Sequence, residues 1–282
     1  TDFVETSYRL MFWDVNADCE GENLQMLPLE ETQLSQPVVE ASLYERAAQL
    51  SDRFGVDIRI AEQCSLDYSH YDSYALTDPT FIRSALDILE ESLSKYPEGF
   101  FLQLPYGSIE SIRIELVGGL KLKSNVTTYT DDAGAFAQDR GSYYGIVLNG
   151  FLMSEKTLHH EFSHIIDSRL EWDALIRTDA LYSEEAWLAL QPEGFSYAMS
   201  YMHIPEELQS FVDSGYFVYE YALTYPTEDR ATLMAAAMEN CTWDFEPGSG
   251  RRAKMQYYAD CIRDCFDTTG WPATTLWEQV LE

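Results

Sequence analysis

The segment 158–170 limits the possible folds of this chain more than any other stretch, because it combines two histidines with an apolar stripe at helical spacing. His160 and His164 are four positions apart, and on an α-helix residues four apart lie on nearly the same face. The apolar positions of the segment fall on the other face: Leu158, Phe162, Ile165, Ile166 and Leu170. The segment therefore predicts a helix that is buried along one side and presents two imidazoles side by side.

The two histidines belong to an H-E-x-x-H pattern that spans residues 160–164. Two neutral imidazoles one helical turn apart can bind a single Zn²⁺. Glu161 follows the first histidine, where its carboxylate can act as general base toward a water molecule. His159 cannot replace His160, because it lies about 140° around the helix from His164. The pattern predicts one catalytic zinc ion held by His160 and His164.

The alternative for these residues is a helix with two ordinary histidines and a surface glutamate, since the pattern fixes only three positions. Of the five histidines in the chain, three lie between positions 159 and 164, and many acidic residues could supply a further ligand. Both features favour the metal site. The five cysteines form no C-x-x-C pair, and we predict that they do not bind the metal.

The composition excludes several classes of partner. The 48 acidic and 18 basic residues give a net charge of −30, which repels phosphate backbones and anionic membrane surfaces. Nucleic-acid binding is therefore not expected. No run of about 20 apolar residues exists, so no transmembrane segment is expected either. No signal peptide is visible, and the chain begins at Thr1 instead of Met, which indicates a trimmed or mature form.

The first half of the chain is predicted to hold an extension followed by an α/β region. Residues 1–38 are predicted to be an N-terminal extension or tether, because most of this stretch is polar and has no sustained period. From residue 39 the pattern is globular. It predicts helices at 39–50 and 79–95, strands at 54–60, 109–116 and 143–148, and a mobile loop at 133–142.

The second half is predicted to be mainly helical. Ser154 can cap the metal helix, and Thr227 can cap a later helix that has acidic residues in its first turn. A last amphipathic helix is predicted at 251–266. Between these helices, 171–214 is aromatic and weakly periodic, which favours a loop-rich cover over a cleft.

Two stretches resemble the gluzincin zinc metallopeptidases of the anthrax lethal factor and Pro-Pro endopeptidase type. Residues 160–167 follow the H-E-F-G-H-x-x-D pattern of that family, with Ser163 in place of Gly. Residues 228–232 stand where the family has E-x-x-A-E, with Thr232 in place of the second Glu. The chain also resembles zinc metallopeptidases that are common among proteins secreted by gut bacteria. The resemblance extends over helix and strand order from about residue 40 to the end.

The resemblance implies two further site residues. Glu228 corresponds to the third zinc ligand, and Tyr221, seven residues earlier, corresponds to a tyrosine that stabilises the transition state. The alternatives for the ligand are Glu220, Asp229 and His203, and those for the tyrosine are Tyr219 and Tyr225.

The residue at position 167 indicates the class of zinc metallopeptidase and a possible hydrogen-bond partner of a metal ligand. Metzincins would need Gly at position 167 and His at position 170, where this chain has Asp167 and Leu170, so that class is excluded. Asp167 is three residues past His164, where it either accepts a hydrogen bond from a ligand imidazole or is an ordinary surface acid.

The fold that the resemblance implies is α+β and zincin-like. It has a small mixed sheet, an edge strand at 143–148 that leads into the metal helix, and a mostly helical C-terminal half. Residues 39–282 would form one metallopeptidase domain, with the active site between an α/β half, 39–150, and a helical half, 151–282.

The expected activity is zinc-dependent hydrolysis of peptide bonds in a peptide or protein substrate. The expected location is outside the cell or at its surface, as a secreted protein or as a lipoprotein anchored through a removed N-terminal segment. The alternative is a zinc-containing extracellular protein that binds peptides or glycans and has little turnover. Glu161 favours the enzyme, because binding alone needs no general base.

Overall fold

The computed structural model describes residues 39–123, 133–201 and 203–282, and the predicted extension at 1–38 lies outside them. The described part combines a small mixed sheet with a helical C-terminal half, as predicted. Its helices and strands are, in chain order, α1 Ala41–Phe54, β1 Asp57–Ile60, β2 Tyr71–Ala75, α2 Pro79–Leu93, β3 Ser111–Leu122, β4 Ala135–Asp139, β5 Tyr143–Asn149, α3 Glu155–Ile176, α4 Glu184–Ala189, α5 Pro226–Met238 and α6 Gly250–Cys265.

The sheet is organised around the long strand β3. Strands β1, β3 and β5 are parallel neighbours, and β4 pairs antiparallel with β5 at the edge of the sheet. Strand β2 pairs antiparallel with the second half of β3, where Ser73 lies opposite Leu120. The first half of β3 pairs with β1, so β3 pairs with different strands along its length.

The prediction that the strand at 143–148 forms the edge of the sheet is wrong. Strand β5 lies between β3 and β4, and among the described residues β4 is the outer strand on this side of the sheet. The residues of β4 fall within the segment predicted to be a loop, because Asp and, to a lesser degree, Ala have low strand propensity. Backbone pairing with β5, for example of Ala137 with Ile146, makes this segment a strand, and sequence propensity does not report such pairing.

The two faces of the sheet have different coverings. Ile146 of β5 belongs to the main core together with Phe162 of α3, so α3 packs on this face. The next residue, Val147, points the other way and packs in a small second cluster with Tyr68. The apolar side of α3 is thus buried against the sheet, as the sequence predicted.

Helix α3 begins as predicted and helix α5 does not. The Ser154 hydroxyl accepts a hydrogen bond from the Thr157 backbone N–H at 3.2 Å, which confirms the cap of α3. Helix α5 begins at Pro226 with Tyr225 as its N-cap residue, so the prediction of Thr227 as the cap is wrong. Proline suits the first helical position, because its φ is already helical and the N–H that it lacks would have no helical partner there.

The segment predicted as a loop-rich cover contains more helix than expected. Helix α3 continues to Ile176, and the short helix α4 follows. Two 3₁₀ segments, Glu206–Ser214 and Glu220–Leu223, then lead to α5. A small apolar cluster around Phe217 packs beneath this part of the chain, so the cover has a core of its own.

Candidate metal centre

Three predicted ligands meet where helices α3 and α5 pack together. The Nε2 atom of His160 lies 3.0 Å from Oε2 of Glu228, and the Nε2 atom of His164 lies 3.5 Å from the same oxygen. All three donor atoms lie within 4.8 Å of one another. The two imidazole rings are nearly perpendicular, with centroids 4.9 Å apart. Two helices that are distant in sequence therefore bring two nitrogens and one carboxylate to a single point.

The spacing of these atoms fits one small divalent cation. Four donors at about 2.0–2.1 Å from a tetrahedral Zn²⁺ lie about 3.3–3.4 Å from one another. The observed distances of 3.0 and 3.5 Å from the Glu228 oxygen to the two imidazole nitrogens bracket that value. Two imidazoles and one carboxylate are also a ligand set found in catalytic zinc sites, which leave a fourth position open.

The charge around the site also fits a divalent cation. Four buried acidic residues are either a candidate ligand or within three residues of one in the sequence. Two buried basic residues form ion pairs with two of these acids. The six residues are Glu161, Asp167, Glu228, Asp229, Arg230 and Lys254. When all six are ionised and the two ligand histidines are neutral, these residues carry a net charge of −2, which one Zn²⁺ would balance.

Glu161 lies beside the three ligands and is 7% exposed. Burial raises the pKa of Glu161 above its usual value, and the charges of His164 and His160 oppose this shift in part. A backbone hydrogen bond from Ala137 of the edge strand β4 also lowers this pKa. A raised pKa makes the carboxylate a stronger base, which suits a group that must take up a proton during the reaction.

Glu228 is held as a carboxylate. Burial alone would raise the pKa of Glu228, but hydrogen bonds and charges from His160 and His164 outweigh burial and bring the pKa far below its usual value. Glu228 is therefore ionised, as a metal ligand must be.

The alternatives considered for the third ligand lie elsewhere or have other partners. Glu220 accepts a hydrogen bond from Gln209 at 2.7 Å. Asp229 is turned toward Lys254, at 2.8 Å. His203 is exposed and lies outside the cluster of donor atoms. Among the residues that the structure describes, Glu228 is the acid that the fold brings to the two histidines, and no cysteine joins them.

Tyr221 lies at the site together with a second tyrosine that the sequence did not indicate. The ring of Tyr221 is 6.0 Å from that of His160, centroid to centroid. The hydroxyl of Tyr201 donates a hydrogen bond to Oε1 of Glu228 at 2.9 Å. Tyr225 packs on Tyr201, whereas Tyr219 lies against Lys156. Tyr201 belongs to the weakly periodic stretch, where no sequence pattern distinguishes one tyrosine from another.

Asp167 does not have the predicted partner. Its Oδ2 atom accepts a hydrogen bond from Nε of Arg230 at 2.6 Å, and in the described ranges no hydrogen bond joins it to His164. His159 points away from the site, and its Nδ1 lies 3.0 Å from the Tyr96 hydroxyl in the core. The sequence excluded His159 as a ligand on helical geometry alone, and the structure agrees with this.

The three ligands open into a cleft of about 940 Å³. The cleft is lined by Phe136 and Ala137 of the edge strand β4 and by Tyr201, Tyr221 and Tyr225. Phe136 stacks on Tyr71 with ring centroids 4.8 Å apart, which gives one end of the cleft an aromatic surface. The cleft is large enough for several residues of an extended peptide.

Comparisons with known proteins leave the family open. No family model matches the sequence, and no curated protein matches it. Among solved structures, the chain is similar to a protein from Bacteroides caccae, described as a candidate zinc-binding metallo-peptidase, with 14% identity and a TM-score of 0.44. The match covers 86% of this chain and 92% of that one. At this identity and TM-score the likeness does not establish a family or an activity.

Proposed function

We propose that this protein is a zinc-dependent peptidase of zincin-like fold, in which His160, His164 and Glu228 hold the metal and Glu161 is the general base. The observation that carries the proposal is the convergence of two imidazole nitrogens on one carboxylate oxygen, at 3.0 and 3.5 Å. Glu161 is buried beside them, at the wall of an open cleft. A site that only bound zinc would not need this carboxylate.

Bound zinc would polarise the carbonyl of the scissile peptide bond and make the attacking water more acidic. Glu161 takes a proton from that water as the water attacks the carbonyl carbon. Glu161 then gives the proton to the leaving amine as the C–N bond breaks, which returns the carboxylate to its starting state. Burial raises the pKa of Glu161, and this favours the intermediate step in which the side chain carries the proton.

A tyrosine hydroxyl supplies a hydrogen bond to the developing oxyanion in this proposal. Burial and the nearby Glu228 charge raise the pKa of Tyr221, so its hydroxyl keeps its proton at neutral pH and can donate. The Tyr201 hydroxyl already donates to Glu228, so the Tyr221 hydroxyl is the more available of the two to donate to the oxyanion. We therefore assign the oxyanion role to Tyr221.

The proposed substrate is an extended peptide segment. Strand β4 is the edge of the sheet in the described residues, and it borders the cleft next to Glu161. A peptide that paired with the outer edge of this strand would pass the candidate ligands in an extended conformation. Residues 39–282 would then act as one peptidase domain, and we propose that it works outside the cell or at its surface. No helix in the described part of the chain is long and apolar enough to cross a membrane.

The test combines metal analysis with cleavage of a mixed peptide library. Wild-type protein should contain about one zinc per chain and cleave peptides, and a chelator should abolish the cleavage. Glu161→Gln should keep its zinc, while cleavage falls by about 10²–10⁴-fold, because the base is lost and the size of the side chain is kept. The matched control is Glu185→Gln, which removes the same charge from an exposed glutamate of α4.

Two results would contradict the proposal. A wild-type protein that holds full zinc and cleaves nothing would be a zinc-containing binding protein for peptides or glycans. A Glu161→Gln variant that cleaves as well as Glu185→Gln would remove Glu161 from the mechanism.

A further inference from the structure

The two residues that follow the ligand Glu228 in sequence, Asp229 and Arg230, each form a buried ion pair. Nε of Arg230 lies 2.6 Å from Oδ2 of Asp167, and Nζ of Lys254 lies 2.8 Å from Oδ2 of Asp229. All four side chains are at most 2% exposed. The mechanism proposed above uses none of them.

Three consecutive residues of α5 have three different partners, which lie on α3 and α6. Successive side chains on a helix are about 100° apart, so they cannot share a partner. Glu228 reaches the two histidines of α3, Asp229 reaches Lys254 of α6, and Arg230 reaches Asp167 of α3. The orientation of α5 about its axis is thereby fixed from several sides within one helical turn.

The Asp167–Arg230 pair connects the same two helices as the candidate metal site. Asp167 lies three residues after His164 on α3, and Arg230 lies two residues after Glu228 on α5. The contact between Glu228 and His164 and the contact between Arg230 and Asp167 are therefore neighbouring links between α3 and α5. A rotation or a slide of α5 that moved Glu228 away from the histidines would also break the ion pair.

Stability of the fold does not explain this pair. The loss of hydration that buried charges suffer offsets much of their attraction, and apolar residues of similar size often serve a fold as well or better. An ion pair has a defined geometry, and in some proteins a buried polar or charged contact fixes the register between two helices.

Arg230 also connects α5 to a third element. Its Nη1 atom lies 3.1 Å from Oε2 of Glu184 in helix α4. A guanidinium can hold two carboxylates in fixed directions, which a lysine ammonium does less well. The arginine at this position is therefore suited to orientation as well as to charge neutralisation.

We infer that Asp167 and Arg230 are positioning residues that hold Glu228 at the two histidines by fixing α5 against α3. The inference rests on the metal site of the proposed function and adds a role for residues that do not touch the metal. Loss of the pair should weaken metal binding in a protein that still folds.

The test replaces both members of the pair, so that no unpaired charge is left buried. The variant Asp167→Leu/Arg230→Met should fold, and its dissociation constant for zinc should rise about 10–100-fold, as for other partners that orient metal ligands. Zinc affinity is measured by competition with a coloured chelator. The absorption spectrum of the cobalt-substituted protein reports the ligand geometry and should change as well.

The matched control is the pair of Asp244 and Arg251. Their contact between Oδ1 and Nη1 is 2.6 Å, Asp244 is 1% exposed, and neither residue contacts a candidate ligand. Asp244→Leu/Arg251→Met should keep the zinc affinity and the cobalt spectrum of the wild type. Urea unfolding of both variants shows whether they differ in stability.

A second variant keeps the inference testable if the first double variant does not fold. Arg230→Lys keeps a cation opposite Asp167 but cannot hold Glu184 in the same way, so zinc binding should weaken less than in the double variant and more than in the control. Equal zinc affinity in the Asp167–Arg230 variants and the control would overturn the inference and leave the peptidase proposal standing. A wild-type protein that binds no zinc would overturn both.

Discussion

The two helices that carry the candidate ligands differ in how they present them. From Leu158 to Asp167, helix α3 is buried at every position except the two histidines, which look into the cleft with side chains 13% and 17% exposed. Helix α5 is buried at every position from Glu228 to Met238. A helix with one open side presents two ligands by spacing alone. A helix that is enclosed on all sides depends on contacts with specific neighbours to hold its single ligand at the two histidines.

The first and largest expected effect concerns the ligands on α3. His160→Ala and His164→Ala should each lose zinc completely, because two remaining protein donors do not make a catalytic zinc site. Elemental analysis of the purified variants measures this. His203→Ala is the control, since His203 is exposed and lies outside the donor cluster. Stoichiometric zinc in either His160→Ala or His164→Ala would mean that the ligand set is wrong.

The second prediction separates the two tyrosines near the site. Tyr221→Phe should lower turnover by about 10²–10³-fold with little change in zinc affinity, because it removes one donor to the oxyanion. Tyr201→Phe should instead weaken zinc binding, since its hydroxyl holds Oε1 of Glu228. Turnover at saturating zinc and zinc affinity are measured for both variants. The opposite pattern would exchange the two roles.

The third prediction concerns alkaline pH and one tyrosine beside each helix. The Tyr258 hydroxyl lies 3.0 Å from Oγ of Ser163 in α3, and the Tyr197 hydroxyl donates to Asp229 of α5 at 2.7 Å. Burial, together with the charge of Asp167 for Tyr258 and of Asp229 for Tyr197, raises the pKa of each tyrosine well above its usual value.

A raised pKa in the folded state means that the unfolded chain loses this proton first. The stability that each protonated hydroxyl contributes is complete below about pH 10 and is lost as the pH rises above it. Tyr197→Phe and Tyr258→Phe should each reduce this loss by up to about 1.4 kcal/mol per pH unit. Urea unfolding at a series of alkaline pH values measures the slope. A slope equal to that of the wild type would show that the tyrosine ionises freely in the folded protein.

The smallest expected effect compares the beginnings of the two helices. Ser154→Ala should lower the free energy of unfolding by about 0.5–2 kcal/mol, because it removes the cap of α3. Thr227→Ala should change it by no more than about 0.5 kcal/mol, because α5 begins at Pro226 and Thr227 does not cap it. Chemical denaturation of both variants makes the comparison. A larger loss in Thr227→Ala would restore the capping role that the sequence suggested.

Sequence patterns were most informative where one helix carried the whole signal. Helix α3, its cap at Ser154, its apolar side and the facing pair His160 and His164 follow from a period of 3.6 residues. Strand β4 was missed because strand formation depends on pairing with a segment elsewhere in the chain. Glu228 was reached through a family resemblance, since nothing in its local sequence distinguishes it from Asp229.

The sequence by itself determined that two imidazoles and Glu161 share one turn of a buried helix, because the helical repeat fixes their relative directions. Only the tertiary structure decided that Glu228 meets them, that Tyr201 holds Glu228, and that Asp167 pairs with Arg230 instead of a histidine. These contacts join residues that are far apart in the chain. Their geometry depends on how α5 and the cover pack against α3, and no local period encodes that packing.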